Sequence, residues 1–149
     1  MLVYRITLEQ YASGLVASGQ PARWNAREIR AIYTASTRAL ACLENVVHRS
    51  GIGLQQHFRT MVIELPDDLP VKIIRKENLR DDWHLFEQYP YTQALGTAWI
   101  RSRETAILQV PSSIIAEESN YLLNPIHPDF ERIRLVRTEV FQFDPRIKE

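Results

Sequence analysis

The sequence predicts a single α+β domain, and three observations carry that reading. At 149 residues the chain is long enough to bury one core without disulfides or a structural metal. Strand-like alternations and helical spacings are interspersed along its whole length, so both element types share that core. Their order nevertheless lacks the strict strand–helix rhythm of a doubly wound parallel sheet. No repeat, low-complexity segment or Gly/Ser linker divides residues 1–149, which are read as one domain.

The elements follow in order. LVYRI (2–6) alternates, with Leu2, Tyr4 and Ile6 on one face and Val3 and Arg5 on the other, and is a first strand. Leu8, Tyr11, Ala12, Leu15 and Val16 then recur at helical spacing, predicting a helix over 8–18 with Thr7 as N-cap and Gly19 and Pro21 as its stop. EIRAIYTA (28–35) is strand-like, and Ser36 or Thr37 caps a helix over RALACLENVVHR (38–49), ended by Gly51 and Gly53. TMVIEL (60–65) and VKII (71–74) are strands on either side of the turn PDDLP. Residues 79–87 and 91–101 read as one or two helices broken at Pro90. AILQV (106–110) is a strand ended by Pro111. The prolines and asparagines of SNYLLNPIHPDF (119–130) predict a loop, and RIRLVR and EVFQFD supply one or two closing strands.

Composition excludes several function classes. Eighteen basic residues balance eighteen acidic ones, so no global field draws the chain to nucleic acid or an anionic membrane, despite basic pieces such as WIRSR. No apolar run approaches the roughly 20 residues that span a bilayer. The start MLVYRITLEQYASG has no basic region followed by a long apolar one, and the single Cys42 permits no intrachain disulfide; a cytoplasmic protein is expected. There is no G-x-G-x-x-G after a strand and no Walker loop. His48, His57, His84 and His127 fall into no zinc pattern, so no metal is expected.

Chemistry concentrates in PARWNAREIRAIYTASTRALACLE (21–44) and at PSS (111–113). On the helix over 38–49, Glu44 falls at the rim of the apolar sector with His48 one turn later. It is either a boundary carboxylate paired with His48 or an arginine, or a charge aimed into a cleft. Arg23 lies in a connection ahead of a strand, where a guanidinium can hold a phosphate or pyrophosphate by paired N–H bonds. Trp24 beside it reads as packing. Tyr33 has the small neighbours Ala31 and Ala35 on its face, and by itself reads as a buried structural ring. Ser112 is a turn former or a hydroxyl available to a ligand, without the G-x-S-x-G of a nucleophile elbow.

Taken together, these pieces resemble the RES domain family. The resemblance runs nearly the full length: Y-R-I, R-W-N, I-Y-T-A-S, A-L-A-x-L-E with a histidine four residues on, L-G-x-x-W, V-P-S-S, N-Y-L-L-N-P-x-H-P-D-F and F-D-P-R. It implies a fold similar to ADP-ribosyltransferases, with a mixed, split β-sheet. It further implies a toxin paired with an Xre-type helix-turn-helix antitoxin, one that consumes NAD as substrate by hydrolysis or phosphorolysis. Transfer of ADP-ribose to a protein is the alternative, and a catalytically silent module that only binds its antitoxin is the alternative of another class. Arg23, Glu44 and Ser112 are then the name-giving residues, with Tyr33 in the same site. In this reading Glu44 meets the nicotinamide ribose, Arg23 the pyrophosphate, Tyr33 the nicotinamide or its ribose, and Ser112 the same subsite. Arg5 is a second phosphate candidate, and His48 either orients Glu44 or is structural. The chain departs from the family in having Ala22 before R-W and the residues ARE, without glycine, between R-W-N and the next strand. That puts the loop's geometry in question more than its chemistry.

Overall fold

The computed structural model describes residues 1–48, 53 and 55–147. Among the described residues, seven strands and two helices form the domain. They are β1 (Leu2–Leu8), β2 (Ile32–Ala35), α1 (Arg38–His48), β3 (Phe58–Glu64), β4 (Val71–Ile73), α2 (Tyr89–Ser102), β5 (Ile107–Pro111), β6 (Ser119–Leu123) and β7 (Arg134–Phe141). The strands make one mixed sheet of order β4-β5-β6-β2-β1-β3-β7, in which only β4 and β5 run parallel. The mixed α+β sheet expected from the sequence is therefore present, and so is its split. β1 pairs with β3 along its whole length from Leu2↔Glu64 to Leu8↔Phe58, but meets β2 at Tyr4↔Ala35 alone.

Strand alternation sorts the core. Val3, Ile32, Met61, Ile63, Ile107, Tyr121 and Leu123 face one side, covered by Ala12, Leu15, Ala17, Leu65, Leu69, Phe130 and Ile133. On the other side Leu108, Val110 and Leu122 pack under Trp99 and Ile100 of α2. Further along that side Ile6, Ala35 and Phe58 pack under Leu40 and Ala41 of α1. Two helices thus share one face of the sheet, and the seam between β1 and β2 runs between the two packed clusters.

Four expectations are corrected here. The helix expected over 8–18 is absent: β1 continues to Leu8, a single 3₁₀ turn covers Glu9–Tyr11, and irregular chain follows. Only Ala12 and Ala17 of that stretch are buried, whereas Tyr11 and Val16 face solvent. Ser13 and Gly14 are also poor helix formers, so no apolar stripe compensates for their propensity. Pro90 does not break a helix but starts one, at the first turn of α2, where its missing N–H is no loss. Residues 79–85 accordingly form turns, followed by a 3₁₀ turn at Phe86–Gln88. The stretch 119–130 opens as β6, a central strand flanked by β2 and β5, because its prolines begin only at Pro125. The strand read over 28–35 starts at Ile32. Thr37 is the cap of α1, accepting the Leu40 N–H at 3.0 Å. Arg49 and Gly51, the expected last turn and stop, lie outside the described residues.

Candidate functional site

A cavity of about 370 Å³ opens over the seam, lined by β1 (Tyr4, Arg5), β2 (Tyr33), α1 (Glu44, Asn45, His48) and the start of α2 (Tyr89). The loop before β2 adds Arg23 to its wall, and the strand ends at Pro111 and Asn120 add theirs. The incomplete β1–β2 pairing leaves room for it: past Tyr4↔Ala35 no ladder draws the two strands together.

Glu44 is a fixed carboxylate on this wall. Its Oε1 accepts the Ser112 hydroxyl and the Asn120 Nδ2–H, each at 2.8 Å, while His48 Nε2 lies 3.1 Å from Oε2. Burial pushes the Glu44 carboxyl up, but the hydrogen bonds from His48, Asn120 and Ser112 together outweigh it and hold it below its ordinary value. The group is therefore a charge kept ionised in a partly dry place. No sequence signal marks Asn120, because the asparagines and prolines of 119–130 predict a loop.

Ser112 is fully buried, and its hydroxyl is committed on every side. Its one proton goes to Glu44, and its oxygen accepts the N–H of Ile114 (3.1 Å) and Ile115 (3.2 Å). Its neighbour Ser113 lines the cavity; Ser112 does not. Ser112 reaches the site through Glu44, a different place from the ligand contact expected of it. Because the folded Glu44 carboxyl sits below its unfolded value, its ionisation stabilises the fold above the unfolded pKa. That contribution is lost as pH falls through the folded value. Ser112→Ala removes one of the bonds that lower it, so the Glu44 carboxyl is expected to titrate at higher pH, read by carbon-13 NMR of the side chain. An unchanged titration in the folded variant would show that the serine does not hold the carboxylate.

Arg23 approaches from the loop and is half-buried. Its guanidinium lies 4.8 Å from the Tyr89 ring centre and 5.7 Å from that of Trp83, and donates to the Trp83 carbonyl at 3.3 Å. Burial lowers its pKa, opposed by Tyr89, Glu44 and Tyr33. Arg5 donates across the seam to the Tyr33 carbonyl at 3.3 Å, and burial lowers its pKa too, opposed by Tyr33. Among the described residues no carboxylate lies within 4.0 Å of either guanidinium. Two guanidiniums on one cavity wall, neither in an ion pair with a carboxylate of the described residues, suit a polyanionic ligand segment.

The loop bearing Arg23 is held from two sides. From the sheet, the Tyr33 hydroxyl donates to Asn25 Oδ1 (2.5 Å) and accepts the Trp24 N–H (2.9 Å). Burial drives its phenol well above the ordinary range, opposed first by the Trp24 N–H. The Tyr33 ring lines the cavity while its hydroxyl ties down the loop. From α2, Thr92 donates to the Arg23 carbonyl (2.6 Å), Gln93 to that of Ala22 (2.8 Å), and Thr97 Oγ1 accepts the Ala26 N–H (3.1 Å). Trp24 is buried against Trp83, as packing predicts. The missing glycines have separate outcomes. Ala22 sits at ordinary negative φ, but Glu28, within ARE, adopts φ +68°, a conformation that glycine would relieve.

The remaining motif, N-P-x-H-P-D-F, is structural here. Buried Asn124 donates to the Ile100 carbonyl of α2, and His127 Nδ1 accepts the Asp129 N–H to cap a 3₁₀ turn. Among the described residues no three His, Cys, Asp or Glu side chains cluster to hold a metal ion, and no helix is long and apolar enough to cross a membrane.

A family model described as RES domain matches residues 2–144. A protein of Sphingobium sp. (strain YBL2) named Prs ADP-ribosylating toxin is 37% identical, over 91% of this chain and 85% of its own length. A protein of Yersinia enterocolitica named Toxin Res is 33% identical over 99% of this chain and all of its own length. Among solved structures, the M. tuberculosis MbcT–MbcA toxin–antitoxin complex contains a chain that superposes with a TM-score of 0.78. The match covers 95% of this chain and 84% of that one at 18% identity, and shows a shared fold.

Proposed function

The chain belongs to the RES domain family, and on that premise we propose that it is the toxin of a toxin–antitoxin pair, acting by cleaving the nicotinamide–ribose bond of NAD. The observation that carries this reading is the Glu44 carboxylate, kept ionised by Ser112, Asn120 and His48 on a cavity wall that also presents Arg23, a guanidinium outside ion-pair distance of any described carboxylate. When the C–N bond breaks, its electron pair leaves with nicotinamide as a neutral molecule, so no general acid is required. Positive charge develops on the ribose, as in glycoside hydrolysis, and a fixed anion beside the sugar stabilises it. In this arrangement Glu44 meets the ribose, Arg23 holds the pyrophosphate and Arg5 is placed to assist. The Tyr33 ring packs on the nicotinamide or its ribose. Ser112 and His48 are positioning residues acting through Glu44.

The test is incubation of the purified chain, free of any partner protein, with NAD. Nicotinamide release is expected. Arg23→Ala is expected to raise KM for NAD at least tenfold, and Arg23→Lys to restore little, because an ammonium does not reproduce the paired N–H bonds. A wild-type chain that releases no nicotinamide sinks the proposal. The attacking group separates the finer activities. Dependence of the rate on phosphate marks a phosphorylase, and free ADP-ribose marks a hydrolase. Labelled protein marks a transferase, the second reading, favoured by the name of the Sphingobium relative. An antitoxin partner, of Xre type in this proposal, is supported by the toxin–antitoxin complex that shares the fold.

A further inference from the structure

Two aromatic rings on the cavity wall touch further rings, and the two contacts lead in opposite directions. Trp24 meets Trp83, which is buried in the cluster under α2. Tyr89 meets Phe86, with ring centres 4.9 Å apart and planes tilted by 41°. Phe86 is 78% exposed, the most open large apolar side chain among the described residues, and it lies beyond the cavity's lining. A scattered surface phenylalanine needs no explanation. This one is held in place beside the arginine of the site. The Gln88 side chain accepts from Arg80 (3.1 Å) and donates to Asp82 (3.0 Å), and the Leu85 and Gln88 N–H groups bond to the Asp82 and Leu85 carbonyls, each at 3.0 Å. The Arg23 guanidinium lies 4.8 Å from the Tyr89 ring centre, so one ring separates it from Phe86. Glu44 is near enough for its charge to act on Arg23, yet outside ion-pair distance.

We propose that the Phe86 ring, backed by Tyr89, is a stacking platform for the adenine base of the dinucleotide, outside the cavity itself. This rests on the reading that Arg23 holds the pyrophosphate and Glu44 meets the nicotinamide ribose. In that arrangement one nucleoside fills the cavity, and the other leaves it past the groups around the Arg23 guanidinium. The aromatic groups there are Trp83, closed off by burial, and Tyr89, whose outer neighbour is Phe86. At about 370 Å³ the cavity is near the lower end of the range for one drug-sized ligand, so a dinucleotide overruns it. A base offers an uncharged flat face to an open ring. Little freedom is lost on binding, because the segment carrying Phe86 is already fixed. Stacking accepts the π-face of any base. The platform therefore distinguishes a dinucleotide from a mononucleotide, not one purine from another.

The experiment measures nicotinamide release from NAD and from nicotinamide mononucleotide, which lacks the adenosine half, in the wild type, Phe86→Ala and Phe86→Trp. The ratio of kcat/KM for NAD over the mononucleotide is expected to fall about tenfold in Phe86→Ala, through KM, and to return in Phe86→Trp. Truncation at so exposed a position leaves the core packing intact. Competition gives the same contrast without turnover of the mononucleotide. In Phe86→Ala the inhibition constant of ADP is expected to rise about tenfold relative to that of inorganic pyrophosphate. Either ratio unchanged in a folded Phe86→Ala protein overturns the proposal. Nicotinamide hypoxanthine dinucleotide is expected to be cleaved by the wild type within about tenfold of NAD. A larger preference for adenine would mean that the edge of the base is read in a pocket, and overturns the platform as well. A chain that cleaves NAD with these ratios unmoved by Phe86→Ala leaves the NAD-cleaving reading standing and removes this one. A wild-type chain that releases nicotinamide from neither substrate removes both.

Discussion

Glu44→Gln is expected to lower kcat for nicotinamide release by about 10²–10³-fold while leaving the fold and the KM for NAD nearly unchanged. Glutamine keeps the shape, and its carbonyl oxygen still accepts the two bonds that Ser112 and Asn120 donate to Oε1. The charge is lost, and with it the bond from His48, because the amide nitrogen that replaces Oε2 cannot accept. If that charge acts on the cation forming in the transition state, the loss falls on kcat. Removing an anion from a wall that carries Arg23 and Arg5 does nothing to weaken a pyrophosphate there. The pH dependence follows from the same state of the carboxyl. Glu44 is held below its ordinary value, so wild-type activity is expected to fall at a lower pH than an ordinary glutamate would set. The variant has no such limb. A folded Glu44→Gln protein with wild-type turnover would remove Glu44 from the mechanism.

The limb also separates what could be read in the sequence from what could not. Helical periodicity placed Glu44 at the rim of α1 beside His48, which is where it lies. Its other two partners are 68 and 76 residues away along the chain, and no local pattern connects them. Asn120 was hidden further, because asparagine and the later prolines argue against a strand, and β6 exists through pairing on both edges. The same tertiary override explains the segment after β1. Helical spacing was present there, yet the sheet extended β1 to Leu8 and left Tyr11 and Val16 in solvent. Tyr33 could be placed beside the site from sequence, but not its hydroxyl's part in holding Trp24 and Asn25, since the loop's path was invisible. The family resemblance supplied the set of residues, and the geometry divided them into those on the cavity wall and Ser112 behind it.

Gly96→Ala tests how that wall is held, and its expected sign opposes the one that helix propensity gives. In an isolated helix, alanine would be more favourable than glycine by about 1 kcal/mol. In α2, a Cβ at position 96 would lie 1.8 Å from the Trp24 carbonyl oxygen, 2.7 Å from its carbonyl carbon and 2.9 Å from its Cβ. The two closest are backbone atoms, so no rotamer change relieves the clash; the helix and the Arg-Trp-Asn loop must move apart. The contacts that join them are short and directional: Thr92 to the Arg23 carbonyl, Gln93 to that of Ala22, and the Ala26 N–H to Thr97. Separation stretches all three together and withdraws Arg23 from the cavity. The expected result is a net destabilisation of about 1–3 kcal/mol, seen as a lower thermal midpoint. Tryptophan fluorescence should change, because Trp24, Trp83 and Trp99 share this cluster. NAD cleavage should fall more than stability does, through KM, because the pyrophosphate loses its arginine. Asn25, tied to β2 through Tyr33, limits how far the loop can retreat, so the sheet and α1 stay folded and Glu44 keeps its partners. A Gly96→Ala protein as stable and as active as the wild type would mean that α2 and the loop do not touch at this point, and that Arg23 is positioned by Tyr33 and the sheet alone.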